Sequence, residues 1–189
     1  LDLKGALPHI CRLSGIRKLC FLATGFGDEQ IVELNNLPNL EELNVDSTHI
    51  TGEGLTKLKR LKILRSLSFG SNGGQSKLLE ALQGSKNLHI LSLDALDTPL
   101  TESDARMICS CPNITNLYLE ASITSDKVLA ILSQLPNLNF IDIQDCIVSK
   151  TATDKFRNSY LPRKIIMKIS REKTAGPAFD NEVPTDWIR

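Results

Sequence analysis

The chain has 189 residues, with 22 Lys and Arg against 22 Asp and Glu, so its formal net charge is zero. A single domain of this size buries a sizeable core, and a neutral chain has no global field with which to capture nucleic acid or a membrane surface. No apolar run approaches the length of a membrane span.

The first residues, Leu1 to Gly5, are not the apolar stretch of a secretory signal. Leu7, Ile10 and Leu13 are spaced like the helical half of a repeated unit, so the protein is expected to continue upstream. From Ile16 onward one apolar step recurs. It reads Ile16, Leu19, Phe21, then Leu40, Leu43, Val45, then Leu64, Leu67, Phe69. It continues as Leu88, Leu91, Leu93, then Ile114, Leu117, Leu119, then Leu138, Ile141, Ile143. The starting positions differ by 24, 24, 24, 26 and 24 residues. A fixed period in this range marks a solenoid, in which each unit buries its apolar face only against its neighbours.

Within a unit the step predicts a short strand, with its second and third apolar residues inward and the residues between them outward. Eight residues after each start comes Thr24, Thr48, Asn72, Leu96, Ser122 or Cys146. Small polar side chains and Cys at this place turn inward and bond the free backbone groups of a bend. Leucines three apart follow, as in Ile31, Leu34, Leu37 or Leu129, Leu132, Leu135, and form the inward stripe of a helical return. Pro38-Asn39, Pro112-Asn113 and Pro136-Asn137 end the helical half and turn the chain into the next strand. Strands from successive units are expected to stack in parallel on a concave face, with the helices on the convex face.

This pattern resembles the leucine-rich repeat family. The stretch from Leu40 to Thr51 with Gly54-Leu55 is similar to a consensus unit, and the unit from Ile114, preceded by Cys111, is similar to the cysteine-containing subtype. The resemblance implies an α/β right-handed solenoid with a parallel sheet inside the curve and helices or 3-10 turns outside it. Residues 1–170 are expected to form this domain, with units starting near 16, 40, 64, 88, 114 and 138 and a capping strand at 164–169. Residues 171–189 are expected to be a C-terminal tail. Two units depart from the pattern: Ser71 to Ser76 replaces one bend, and an insertion near Asp97 to Leu100 follows another. Both predict irregular loops at one edge of the array.

No catalytic, cofactor or metal constellation emerges. Gly70 to Lys77 lacks the Gly-Lys-Ser/Thr ending of a phosphate-binding loop. His9, His49 and His89 fall in different units, and Cys109 and Cys111 lack the partners of a zinc site. Five cysteines without a C-x-x-C pair suit a reduced, intracellular setting. The sequon Asn113-Ile114-Thr115 sits at a strand start and is read as chance.

The strand register assigns the concave face. One outward column reads Leu22, Asp46, Gly70, Asp94, Glu120, Gln144, a mildly acidic ladder, with Tyr118 and Phe140 exposed beside it. Aromatics ringed by polar groups are the composition of binding hot spots. The expected contact residues are Glu42, Asp46, Asp94, Tyr118, Glu120, Phe140 and Asp142, with Trp187, the single Trp, in the tail. Lys57, Lys59, Arg60, Lys62 and Arg65 crowd a convex helix and its exit, and read as a solvated face.

The chain is therefore expected to be a non-catalytic module binding a protein partner with a basic or polar surface. No small-molecule substrate, cofactor or membrane is expected, and nucleic acid is disfavoured. The alternatives are a structural subunit of a large assembly, or the recognition arm of a ubiquitin-ligase-type receptor.

Overall fold

Each apolar step becomes a strand because its second residue finds an apolar neighbour one unit on. Leu19, Leu43, Leu67, Leu91, Leu117, Ile141 and Met167 stand in register across a seven-stranded, all-parallel sheet. The computed structural model describes residues 3–170. The strands are β1 (Lys18–Cys20), β2 (Glu42–Asn44), β3 (Ser66–Ser68), β4 (Ile90–Ser92), β5 (Asn116–Tyr118), β6 (Phe140–Ile143) and β7 (Ile166–Ile169), paired in chain order. The helices are α1 (Leu3–Ile10), α2 (Gly52–Thr56), α3 (Gln75–Leu82), α4 (Glu102–Cys109), α5 (Asp126–Leu132) and α6 (Lys150–Ser159), with 3-10 turns at Ile31–Asn36 and Leu61–Ile63.

One core runs the length of the array. Leu43, Leu67, Leu91, Leu117 and Ile141 are buried from the sheet side. Leu34, Leu55, Leu79, Leu129 and Phe156 are buried from the helical side. A side chain of this type contributes roughly 1.5–3 kcal/mol when fully buried, and all of these belong to one buried cluster. Beyond β7 no described element packs on the sheet, so Ile165, Met167 and Ile169 stay half-buried.

The bends carry a second ladder. Ala23, Ser47, Ser71, Ala95, Ala121 and Asp145 all have φ between 49° and 56°. Each lies seven residues after the start of its unit. The turn aims its N–H along the solenoid axis: Ala23 donates to Asp46 O, Ser47 to Gly70 O, Ser71 to Asp94 O, Ala95 to Glu120 O and Ala121 to Gln144 O. Non-glycine residues pay roughly 1–2 kcal/mol for this conformation, and only small side chains or Asp occupy it here. At the last bend Asp145 N–H donates to the Ser170 hydroxyl.

The residue that follows turns inward, as the sequence predicts. Thr24 and Thr48 donate to the carbonyls of Phe21 and Val45 in their own units. Asn72, Ser122 and Cys146 reach back one unit, to the carbonyls of Val45, Leu93 and Leu119. Leu96 occupies the same slot as a buried apolar residue.

Units are also stapled at their helix starts. Asp28 accepts from the N–H and hydroxyl of Thr51, and Asp126 from those of Ser149. Both hydroxyl residues cap the helix that follows, α2 and α6. Thr101 and Asp104 form a full capping box on α4. The asparagine just before four of the six steps bonds a carbonyl of the previous unit: Asn39 to Ser14, Asn87 to Lys62, Asn113 to Lys86 and Asn137 to Pro112. The sequon asparagine is thereby part of this scaffold.

Between units two and three the backbones nearly touch. A Cβ on Gly52 would stand 1.8 Å from the carbonyl oxygen of Gly74, so only glycine fits there. The basic run occupies the exit of α2 and not the helix itself: α2 ends at Thr56, and Lys57 to Arg65 follow it, with Lys62 in the 3-10 turn Leu61–Ile63.

Candidate functional site

Strand register fixes two outward columns on the concave face. The first reads Lys18, Glu42, Ser66, Ile90, Asn116, Phe140 and Ile166. The second reads Cys20, Asn44, Ser68, Ser92, Tyr118, Asp142 and Lys168. Small residues dominate the middle strands, and large ones return towards β5, β6 and β7.

Tyr118 and Phe140 come together there. Their ring centres are 5.1 Å apart and tilted by 41°, within the range of favourable aromatic pairs. Lys168 places its ammonium 5.6 Å from the Phe140 ring centre and 3.3 Å from the Asp142 carboxylate. Ile90 and Ile166, in the same column as Phe140, are 37% and 50% exposed. The result is an apolar and aromatic patch with one cation and one carboxylate locked into it. The sequence reading names Tyr118, Phe140 and Asp142 among the expected contacts but not Lys168. The register of β7 on β6 is the signal that places it here.

Most of the expected acidic ladder is committed to the scaffold. Glu42 pairs with Lys18 at 2.7 Å. Asp46 accepts from Gly70 N–H at 2.6 Å, and its carboxyl is held above its ordinary value, chiefly by burial. Asp94 accepts from Glu120 N–H and from the Ser92 hydroxyl. Asp142, expected to be outward and free, is only 5% exposed because Lys168 covers it and Gln144 N–H donates to it. Glu120 is exposed. Trp187 lies outside the described residues.

The cysteines are free thiols. Burial pushes Cys109 up to about 11, and its Sγ–H donates to Ile131 O. Burial also raises Cys111 and Cys146. A thiol kept protonated in this way is a poor nucleophile and a poor metal ligand. On the convex side a groove of about 400 Å³ runs between α5 and α6, lined by Ala130, Ala152, Phe156, Lys127 and Lys155. Its Asp126 and Ser149 are bonded to each other.

Cations gather on the edge where the chain enters the strands. Lys57, Lys59, Lys62, Arg65 and Lys86 are exposed and Arg60 is half-buried. None of the ion pairs among the described residues involves any of them.

These features place the chain among leucine-rich repeat proteins in fold: a parallel sheet inside the curve, helices and 3-10 turns outside, one strand per leucine step. A Listeria monocytogenes internalin (inlF) of known crystal structure superposes with a TM-score of 0.56 at 20% identity, over 90% of this chain and 51% of that one. Internalin C2 of the same bacterium gives a TM-score of 0.44 at 19% identity, over 89% of this chain and 92% of that one. No protein-family model matches the chain. The Caenorhabditis elegans "Putative RNA-binding protein EEED8.10" is 27% identical over 177 residues, which is 89% of this chain and 24% of that protein. The chain thus spans about a quarter of the worm protein and about half of the first internalin. Among the described residues no helix is long and apolar enough to cross a membrane.

Proposed function

We propose that this chain is a non-catalytic interaction module that takes a protein segment on the C-terminal half of its concave face. The observation that carries this reading is the Tyr118–Phe140 pair, flanked by the exposed Ile90 and Ile166. A half-buried aromatic pair with an apolar border and a charged rim is the composition of a contact centre. Because Glu42, Asp46, Asp94 and Asp142 are bonded internally, the partner's central contact is apolar or aromatic. Glu120 and Lys168 supply the polar rim, and Trp187 is a further contact in this proposal. The setting is intracellular, in keeping with five unpaired thiols.

Affinity capture with quantitative mass spectrometry tests this. Phe140→Ala and Tyr118→Ala are each expected to lower recovery of the captured protein at least tenfold, since central aromatics are worth about 2 kcal/mol or more. A Lys127→Gln control on the convex side should retain it. If both aromatic variants stay folded and hold the same partner as well as wild type, the concave reading is wrong.

RNA binding is a second reading, with two observations in its favour. One is the name of the worm protein that this chain matches over a quarter of its length. The other is the group of cations without ionic partners on the strand-entry edge.

A further inference from the structure

We infer that the edge where the chain enters β3 and β4 binds the phosphate backbone of RNA through Lys57, Lys59, Arg60, Lys62, Arg65 and Lys86. This rests on the second reading above and assigns it a surface.

The repeat puts these residues on one edge. Lys62 and Lys86 stand two residues before Leu64 and Leu88, the first leucines of their steps, and Arg65 and His89 stand one residue after those leucines. Equivalent positions on adjacent strands are about 4.8 Å apart. The scaffold fixes the backbone beneath the cations. Ser85 and Asn87 both donate to Lys62 O, and the N–H groups of His89 and Ile90 donate to Arg65 O. The Asn35 side chain holds Lys57 O and Lys59 N–H. Asn113 holds Lys86 O.

Among the described residues no carboxylate forms an ion pair with a cation of this edge. Glu41, in the same column as Arg65, is bound to Arg17 instead. The Lys62 ammonium donates to Gln83 O, which carries no formal charge. Many of the acids sit on the opposite edge, where the chain leaves the strands: Asp46, Asp94, Asp97, Glu120 and Asp145. Zero net charge therefore conceals a segregated distribution, with a local positive field that can hold a polyanion.

The chemistry of the edge also limits what it reads. Residues 57–66 and 84–90 contain no Phe, Tyr or Trp, so no aromatic platform for base stacking is built into it. Recognition is of the phosphodiester chain, tolerant of sequence and strongly salt-dependent.

The test is fluorescence anisotropy of a labelled oligouridylate with the full chain between about 50 and 200 mM salt. Six contacts at about 0.7 per charge set an upper limit near −4 for the slope of log K against log salt. A Lys59→Gln/Lys62→Gln/Arg65→Gln/Lys86→Gln variant is expected to lose at least tenfold in affinity and to flatten the slope. A Lys127→Gln/Lys155→Gln variant should match wild type, and circular dichroism melts check that both variants are folded. RNA binding that survives unchanged in the folded edge variant overturns this surface while leaving the RNA reading standing. Absence of salt-dependent binding by wild type at the lowest salt removes the RNA reading itself.

Discussion

The Lys168 ammonium lies 3.3 Å from the Asp142 carboxylate, tying β7 to β6 across the concave face. Asp142 has 7% of its side chain exposed, against 50% for Lys168. The pair is therefore half wet, and its worth lies between that of a surface bridge and a buried one. Removing the lysine leaves a nearly buried carboxylate with Gln144 N–H as its remaining partner. It also removes the cation from the Phe140 ring.

Lys168→Met is accordingly expected to destabilise the chain by about 1–2 kcal/mol, read as a lower denaturant midpoint. Lys168→Arg should hold most of the stability. A methionine variant as stable as wild type would show that the pair contributes nothing and that Asp142 is solvated by another route.

The bend residues give a second prediction, one that concerns backbone alone. Ala95 has φ of 49°, an exposed side chain, and an N–H bonded to Glu120 O at 2.8 Å. A β-branched residue resists this conformation far more than alanine does. Ala95→Val is expected to cost about 1–2 kcal/mol. Ala95→Gly should equal wild type or exceed it by up to about 1 kcal/mol, since relief of the left-handed strain is partly offset by greater backbone freedom when unfolded. Urea denaturation of the pair measures this. Equal midpoints for valine and glycine would mean that the turn relaxes at no cost.

The sequence period made the strands legible because burial repeats with it. Leu43, Leu67, Leu91, Leu117 and Ile141 are second in their steps, and all are buried and in register. The inward role of Thr48, Asn72, Ser122 and Cys146 was legible for the same reason. What the period did not reveal are bonds between units. Asp28 to Thr51, Asn113 to Lys86 and Asp142 to Lys168 join residues 23 to 27 positions apart, and each looks like an ordinary surface polar residue within its own unit. The left-handed ladder was hidden because glycine, its usual signature, is absent at Ala23, Ser47, Ser71, Ala95, Ala121 and Asp145. The site shows the same division. Facing direction placed Tyr118 and Phe140, but the engagement of Asp46 and Asp94 depends on the backbone N–H groups of Gly70 and Glu120 in the next units.

Asp46 supplies a pH-dependent prediction. Burial is the largest cause of its raised pKa, and nearby Asp94 adds repulsion, while Gly70 N–H and Asn44 act the other way. A carboxyl with a raised folded pKa binds its proton more readily folded than unfolded. Between the ordinary aspartate value and the raised one, the folded state therefore carries more proton, and stability increases as pH falls through that window. At neutral pH the charge is a liability, kept small because water screens this partly exposed group. Asp46→Asn retains an oxygen to accept from Gly70 N–H and removes the charge. The variant is expected to be more stable than wild type at neutral pH by about 0.5 kcal/mol or less. The advantage should vanish once both proteins are taken below the ordinary aspartate range. Because every other titrating group is shared, the difference between the two denaturation curves across pH isolates Asp46. An advantage that grows as the pH falls would reverse the sign, and would mean that the Gly70 hydrogen bond outweighs burial.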